Sequence, residues 1–369
     1  MIPLFKNAGL IGLGLIGGSI ARAMKKQGLA ETITGYTKSS ESLQTALQLG
    51  IIDNIASSSS QLAESCDIII ICTPLSTYEN ILKEIAPVIK NRTCIITDVG
   101  SLKAFTMELA EKYLSKENQK SFIPAHPIAG TEKTGVEAGF AELFNGKRTI
   151  LTPASDASSQ AIKKVSELWS GIGSKIEIMD ASAHDKIYAE VSHLPQFLAY
   201  CYAALLKNTT KKQSNLTEEF LRFSRICASD PTIWLDIFAM NISNLLACLN
   251  NFTNELKNNA ITAPVNDEYL YKILPAIIAG TLIKCSPNSN YAGSGFKDFT
   301  SYPKTALEHL YNFKADNRGS TNEIYNKFLF GINELSSYLK HKQPDKALDF
   351  MRSSSAWYKD AVSIDKASA

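Results

Sequence analysis

The segment Gly12-Leu13-Gly14-Leu15-Ile16-Gly17 restricts what this chain can fold into more than any other. It follows the apolar run Ala8–Ile11 and opens a stretch with helical spacing, so strand, tight turn and helix are predicted in that order. Gly12 permits the turn, Gly14 lets the backbone approach a pyrophosphate, and Gly17 lets the helix pack against its strand. The start of that helix presents unpaired amides and a partial positive charge to phosphate. A dinucleotide site is therefore expected here, with Leu13, Leu15 and Ile16 filling the turn between the glycines.

The first half of the chain continues the pattern. Ala8–Ile11, Thr32–Tyr36, Ile68–Cys72, Cys94–Thr97 and Arg148–Leu151 read as short apolar strands separated by helical stretches, which predicts a parallel sheet with helices on both faces. A helix from about Ser158 to Trp169 and a strand over Lys175–Ile178 close this region. Beyond Asp180 the pattern becomes long helices, beginning with one from about Ser182 to Leu206, separated by polar loops at 208–215, 254–267 and 286–294. The fold class expected is α/β, a Rossmann-like doubly wound parallel sheet over residues 1–179, followed by an all-α region. That region divides into a helical substrate and dimerisation domain over 180–257 and a degenerate second copy over 258–369.

Composition narrows the function classes. A length of 369 residues suits two or three domains, and 45% hydrophobic residues suffice for real cores. A net charge of only +2, with no basic cluster, argues against nucleic acid or an anionic membrane as partner. Seven cysteines scattered without a CxxC pair suit reduced thiols in a cytoplasm better than a disulfide framework, and no metal site is expected. The glycine-broken apolar start lacks a basic lead and a cleavage site, so it does not read as a signal peptide or a span.

The second strand bears on the cofactor. An NAD site usually ends this strand with Asp or Glu to bind the ribose 2′-hydroxyl. Here it runs Gly35-Tyr36-Thr37-Lys38-Ser39-Ser40, with no acid before Glu41. Thr37 and Ser39 offer hydroxyl donors and Lys38 a charge to a 2′-phosphate, which favours NADP over NAD. Thr73 and Pro74, at the end of a later strand, are included among the expected cofactor contacts.

Four further segments carry a family likeness. They are Asp98-Val-Gly-Ser101-Leu-Lys103, the stretch from Pro124-Ala-His126-Pro127 through Gly130-Thr131-Glu132 to Gly135, Ser192-His193-Leu194-Pro195, and Phe223-Ser-Arg225 with Ser229-Asp-Pro231 and Trp234. Their order and content resemble the DxGSxK, HPxxGTExxG, SHLP and FTRIAxSDPxxW motifs of prephenate and arogenate dehydrogenases, over residues 8 to about 250. The resemblance implies oxidative decarboxylation of prephenate in tyrosine biosynthesis, with arogenate as the alternative substrate. Hydride leaves C4, a base takes the hydroxyl proton, and the ring expels CO2 as it becomes aromatic. A histidine, with an ordinary pKa of about 6.5, suits the base.

On this resemblance His126 is the base, in an ordered turn at a sheet edge, and Ser101 hydrogen-bonds the same hydroxyl. Arg225 grips a substrate carboxylate with its planar fork. His193, Thr131 and Trp234 line the substrate pocket. His184 and His309 carry no motif and read as structural or exposed. A hydroxyacid dehydrogenase using a lysine base fits poorly, because Lys186 lacks the surrounding pattern. A nucleotide-binding sensor without turnover would not need Ser101, His126 and Arg225 together.

The helical half departs from the family by repeating itself. Leu194-Pro195, Phe220-Leu-Arg222-Phe223-Ser-Arg225 and Asp236-Ile-Phe are followed, in the same order, by Leu274-Pro275, Phe296-Lys-Asp298-Phe299-Thr-Ser301 and Glu323-Ile-Tyr. The first copy has Glu218, Glu219 and Arg222 where the family shows a glycine-rich lead-in. The second keeps Gly293-Ser-Gly295 and Asp298 but places Ile273 at the histidine position and Ser301 at the arginine position. In the family's dimers the neighbouring subunit helps complete each site. The expectation is a monomeric pseudo-dimer in which Asp298 meets Arg225 and Glu132, with an ordinary homodimer as the alternative.

Overall fold

The computed structural model describes residues 2–131, 133–209, 216, 218–258, 269–301 and 323–368. The chain divides into two compact units, Met1–Asp185 and Lys186–Ala369, with the division inside a helix that begins at Ala181.

In the first unit six strands form one parallel sheet: β1 (Phe5–Ile11), β2 (Ala30–Tyr36), β3 (Asn54–Ile55), β4 (Ile68–Ile71), β5 (Ile95–Asp98) and β6 (Phe122–Ile123). Their order is β3-β2-β1-β4-β5-β6, that of dinucleotide-binding folds, with the reversal between β1 and β4. The four isoleucines of β4 are wholly buried, as a central strand covered on both faces requires. Register sets the functional edge. Ile11 pairs with Tyr36 and with Ile71, and Ile71 pairs with Asp98. The Gly12 turn, Thr37, Thr73-Pro74 and Gly100-Ser101 therefore emerge at the same end of the sheet, where open α/β sheets bind ligands.

Two features of the fold depart from the expectation. Arg148–Leu151 and Lys175–Ile178 do not extend the parallel sheet. As β8 and β9 they form a second, three-stranded sheet with β7 (Ala125–Pro127), antiparallel at β7–β8 and parallel at β8–β9. His126 accordingly sits within a strand, paired with Ile150, and not in a turn. A three-residue strand is too short to show alternation, and Pro127 at its end hides it further.

The second unit is helical. The helix from Ala181 runs to Thr209, as expected, but Ala189–His193 form one π-helical turn within it. The same device recurs at Tyr269–Ile273, again running directly into a helix that opens Leu-Pro, Leu274–Lys284. π-helix is rare, and here it occurs twice, each time directly before a Leu-Pro segment. A short helix follows each of them, Glu218–Ser224 and Ser294–Thr300, and between the two Phe223 stacks on Phe299 with centroids 4.0 Å apart. Tyr202, fully buried, packs edge-on against Phe223 and Phe328 and donates its hydroxyl to the Leu270 carbonyl. The helices Glu323–Lys340 and Pro344–Ser368 complete the unit. No single described helix is long and apolar enough to cross a membrane.

Candidate active site

The glycine turn has the form its sequence demands. Gly12 has φ +99°, where a side chain is strained, and a Cβ there would lie 2.6 Å from the Cys72 carbonyl oxygen. A Cβ on Gly17 would lie 2.1 Å from the Gly12 carbonyl oxygen, so strand and helix meet at backbone distance. At Gly14 a Cβ meets nothing within 4 Å, so the space in front of the helix Leu15–Gln27 is open. No side chain caps that helix and no acid lies in its first turn. An open, uncapped helix N-terminus fits a dinucleotide pyrophosphate. Leu13 is buried beneath the turn, whereas Leu15 and Ile16 are half-buried on it.

At the end of β2, Thr37 is half-buried and Lys38 exposed. Ser39 caps the helix Ser40–Gln48, accepting from the Ser42 amide at 3.1 Å. Thr73 receives the Thr77 hydroxyl, which fixes the turn after β4 together with Pro74.

A buried polar network lies under the ends of β5 and β7. Asp98 closes β5 wholly buried, and its Oδ2 pairs with the ammonium of Lys103, also wholly buried. Lys103 donates in addition to the Ala125 carbonyl at 2.7 Å, and Asp98 Oδ1 accepts from the Ala125 amide at 3.1 Å. This pair staples β5 to the strand that carries His126. Burial pulls the Lys103 ammonium below its usual range, and Asp98 opposes that by favouring the charged form. Ser101, half-buried, lies on the turn that the Asp98 side chain holds by accepting from the Gly100 amide at 2.8 Å.

His126 is half-buried, and its Nδ1 lies 2.9 Å from Nε2 of His184. His184 is wholly buried, so of the two expectations, structural or exposed, the second does not hold. Its Nδ1 lies 2.8 Å from Oδ1 of Asp185. The link to His126 spans 58 positions, so only the folded chain reveals it. Thr131 is exposed, with its hydroxyl accepting from the Lys133 amide, and Glu132 lies outside the described residues.

In the helical unit, His193 ends the first π-turn buried, with Nδ1 3.2 Å from the Asn241 side-chain amide and its ring 6.3 Å from that of Trp234. Arg225 donates through Nε to Asp298 at 3.0 Å, and its Nη2 contacts the same carboxylate oxygen. The structure thus brings Arg225 and Asp298 together, 73 positions apart in the sequence. His309 lies outside the described residues.

Comparison with known proteins agrees with this geometry. Residues 20–178 match the prephenate dehydrogenase nucleotide-binding domain, and residues 180–276 match the prephenate dehydrogenase dimerization domain. The chain is 34% identical to the cyclohexadienyl dehydrogenase of Zymomonas mobilis, over 69% of this chain and 88% of that protein. It is 34% identical to the prephenate dehydrogenase of Bacillus subtilis, over 67% of each. Among solved structures, prephenate dehydrogenase from Aquifex aeolicus in complex with hydroxyphenyl propionate and NAD+ superposes with a TM-score of 0.64 at 32% identity, covering 69% of this chain and 88% of that one. The open glycine turn, the buried network behind His126 and these matches lead to one conclusion: the chain belongs to the prephenate dehydrogenase family.

Proposed function

We propose that this enzyme oxidatively decarboxylates prephenate to 4-hydroxyphenylpyruvate, using a nicotinamide dinucleotide. The observation that carries the reading is a half-buried His126 anchored through one ring nitrogen in a buried polar network, on the same unit as an open dinucleotide turn. The bound cofactor supplies the hydride acceptor. Its pyrophosphate is held by Gly12, Gly14 and Gly17 with Leu13, Leu15 and Ile16, and the turn Thr73-Pro74 flanks it. The acid-free end of β2, with Thr37 and exposed Lys38, supports NADP as the preferred form.

His126 accepts the substrate's hydroxyl proton, and Ser101 hydrogen-bonds that hydroxyl so that the proton departs in one direction. Arg225 binds a carboxylate through its fork. His193, Trp234, Thr131 and Glu132 line the substrate pocket, and Asp298 orients Arg225. We place the enzyme in the cytoplasm, where its seven unpaired cysteines remain reduced.

The repeated π-turn, the stacked Phe223–Phe299 pair and the Arg225–Asp298 contact support a second proposal about assembly. In a two-fold dimer, equivalent residues meet on the axis. Phe223 and Phe299 occupy equivalent positions of the two copies and meet in that way within one chain. The second copy therefore serves as a built-in partner, and the chain is a monomeric pseudo-dimer with one site.

The test is formation of reduced nicotinamide with prephenate and arogenate, each offered NADP and NAD, beside a His126→Asn variant. Prephenate-dependent reduction with NADP that vanishes in the variant is expected. Turnover with arogenate alone, or an active His126→Asn, would overturn the substrate or the base. Light scattering should give the mass of one chain. A tight symmetric dimer joined through the first copies would refute the pseudo-dimer.

A further inference from the structure

Resting on the reading of His126 as the base, we propose that His184 and Asp185 are positioning residues that set its tautomer, placing the proton on Nδ1 and making Nε2 the atom that accepts the substrate's proton.

Asp185 is fixed by two backbone amides: Oδ1 accepts from Lys103 at 2.8 Å and Oδ2 from Ala104 at 2.9 Å. An ionised carboxylate only accepts, so the His184 Nδ1 facing Oδ1 at 2.8 Å carries a proton. His184 is wholly buried, and burial disfavours its charged form, with Asp185 opposing. A neutral imidazole protonated at Nδ1 has an acceptor at Nε2. The atom facing that acceptor, His126 Nδ1 at 2.9 Å, must then be the donor. A neutral His126 protonated at Nδ1 presents its lone pair at Nε2.

The same chain of bonds acts during the reaction. When His126 Nε2 takes the hydroxyl proton, the imidazolium donates more strongly through Nδ1 into His184, whose far side rests on an anion. The logic is that of a carboxylate orienting a catalytic histidine, with a second imidazole interposed. The groups that face His184 are Asp185 on its own helix, Lys103 and Asp98 from the end of β5, and His126 from β7. Lys103 is paired with Asp98, and Asp185 is the carboxylate in direct contact with His184.

Local sequence explains the placement. Asp180 accepts from the Ser182 and Ala183 amides and starts the helix, which turns His184 and Asp185 inward. Asp185 also caps the helix Ala104–Tyr113, whose own N-cap, Lys103, offers no side-chain acceptor. Changing Asp185 therefore disturbs structure as well as protonation, and His184 is the better position to vary.

Two measurements test the proposal. In protein with ¹⁵N-labelled histidine, the His126 ring should show the Nδ1–H tautomer at neutral pH, and His184→Phe should shift it toward Nε2–H. A wild-type His126 found protonated at Nε2 would overturn the proposal, whatever the variants do. In kinetics, His184→Phe and His184→Gln should each lower kcat by about 10²-fold, within the range of general-base contributions, while cofactor binding stays unchanged by fluorescence titration. The acid limb of the kcat/KM profile should move to lower pH in His184→Phe, because the anion behind the imidazolium no longer reaches it. A variant that binds cofactor with wild-type kcat and profile, while His126→Asn is inactive, would sink the relay alone. An active His126→Asn would instead sink the base assignment beneath it.

Discussion

The two helical segments that we propose as copies share their packing and differ in their chemistry. Both begin with a π-turn and a Leu-Pro helix start, and both place a phenylalanine at the position where Phe223 stacks on Phe299. The polar positions are not shared. The first copy ends its π-turn with His193, bonded to Asn241, and the second ends with Ile273. The first has Arg225 where the second has Ser301, and the second has Asp298 where the first has exposed Arg222. A contact between counterparts, such as Phe223 on Phe299, needs both halves. A binding group needs only one. The comparison therefore separates what holds the unit together from what the unit does.

The largest effect should come from the shared positions. Phe223→Ala and Phe299→Ala should each cost about 3–5 kcal/mol of stability, as truncation of buried aromatics does. In denaturant unfolding the double variant should lose less than the sum, by about 1 kcal/mol, because the stack is removed only once. Full additivity would break the equivalence of the two positions.

Next comes the unshared arginine. Arg225→Ala should raise KM for prephenate by roughly 10- to 10²-fold, from loss of a charged hydrogen bond of roughly 1.5–3 kcal/mol. Ser301→Ala should leave steady-state kinetics unchanged. Equal losses in both variants would mean the second copy retains a working site.

The smallest effect belongs to the contact between copies. Arg225 and Asp298 side chains are 44% and 30% exposed, so solvent screens the pair and Asp298→Asn should cost at most about 1 kcal/mol of stability. Its KM should rise a few-fold and become less sensitive to salt. An unchanged KM would reduce Asp298 to a surface partner.

Legibility in the sequence followed the range of the interactions. The glycine turn was readable because its demands are local: a positive φ at Gly12 and a close approach at Gly17 each exclude every other residue type. The buried Ile68–Ile71 strand was readable for the same reason. The second sheet was not, because β7 is only three residues and takes its identity from pairing with Arg148–Leu151. His184 was not readable either. Nothing beside it in the chain distinguishes it, and its meaning comes from His126 and from a carboxylate held by the start of another helix.

The π-turns have a consequence for length. An α-helix advances about 100° per residue, so the extra residue in Ala189–His193 resets the rotational phase of everything up to Thr209. Removing one residue there would return the helix to regular winding and carry Gln196, Tyr200 and Tyr202 around the axis, away from the Ile226, Ser229 and Leu270 carbonyls they meet. The helix thus tolerates substitution more readily than deletion, and its register is stored as a count of residues.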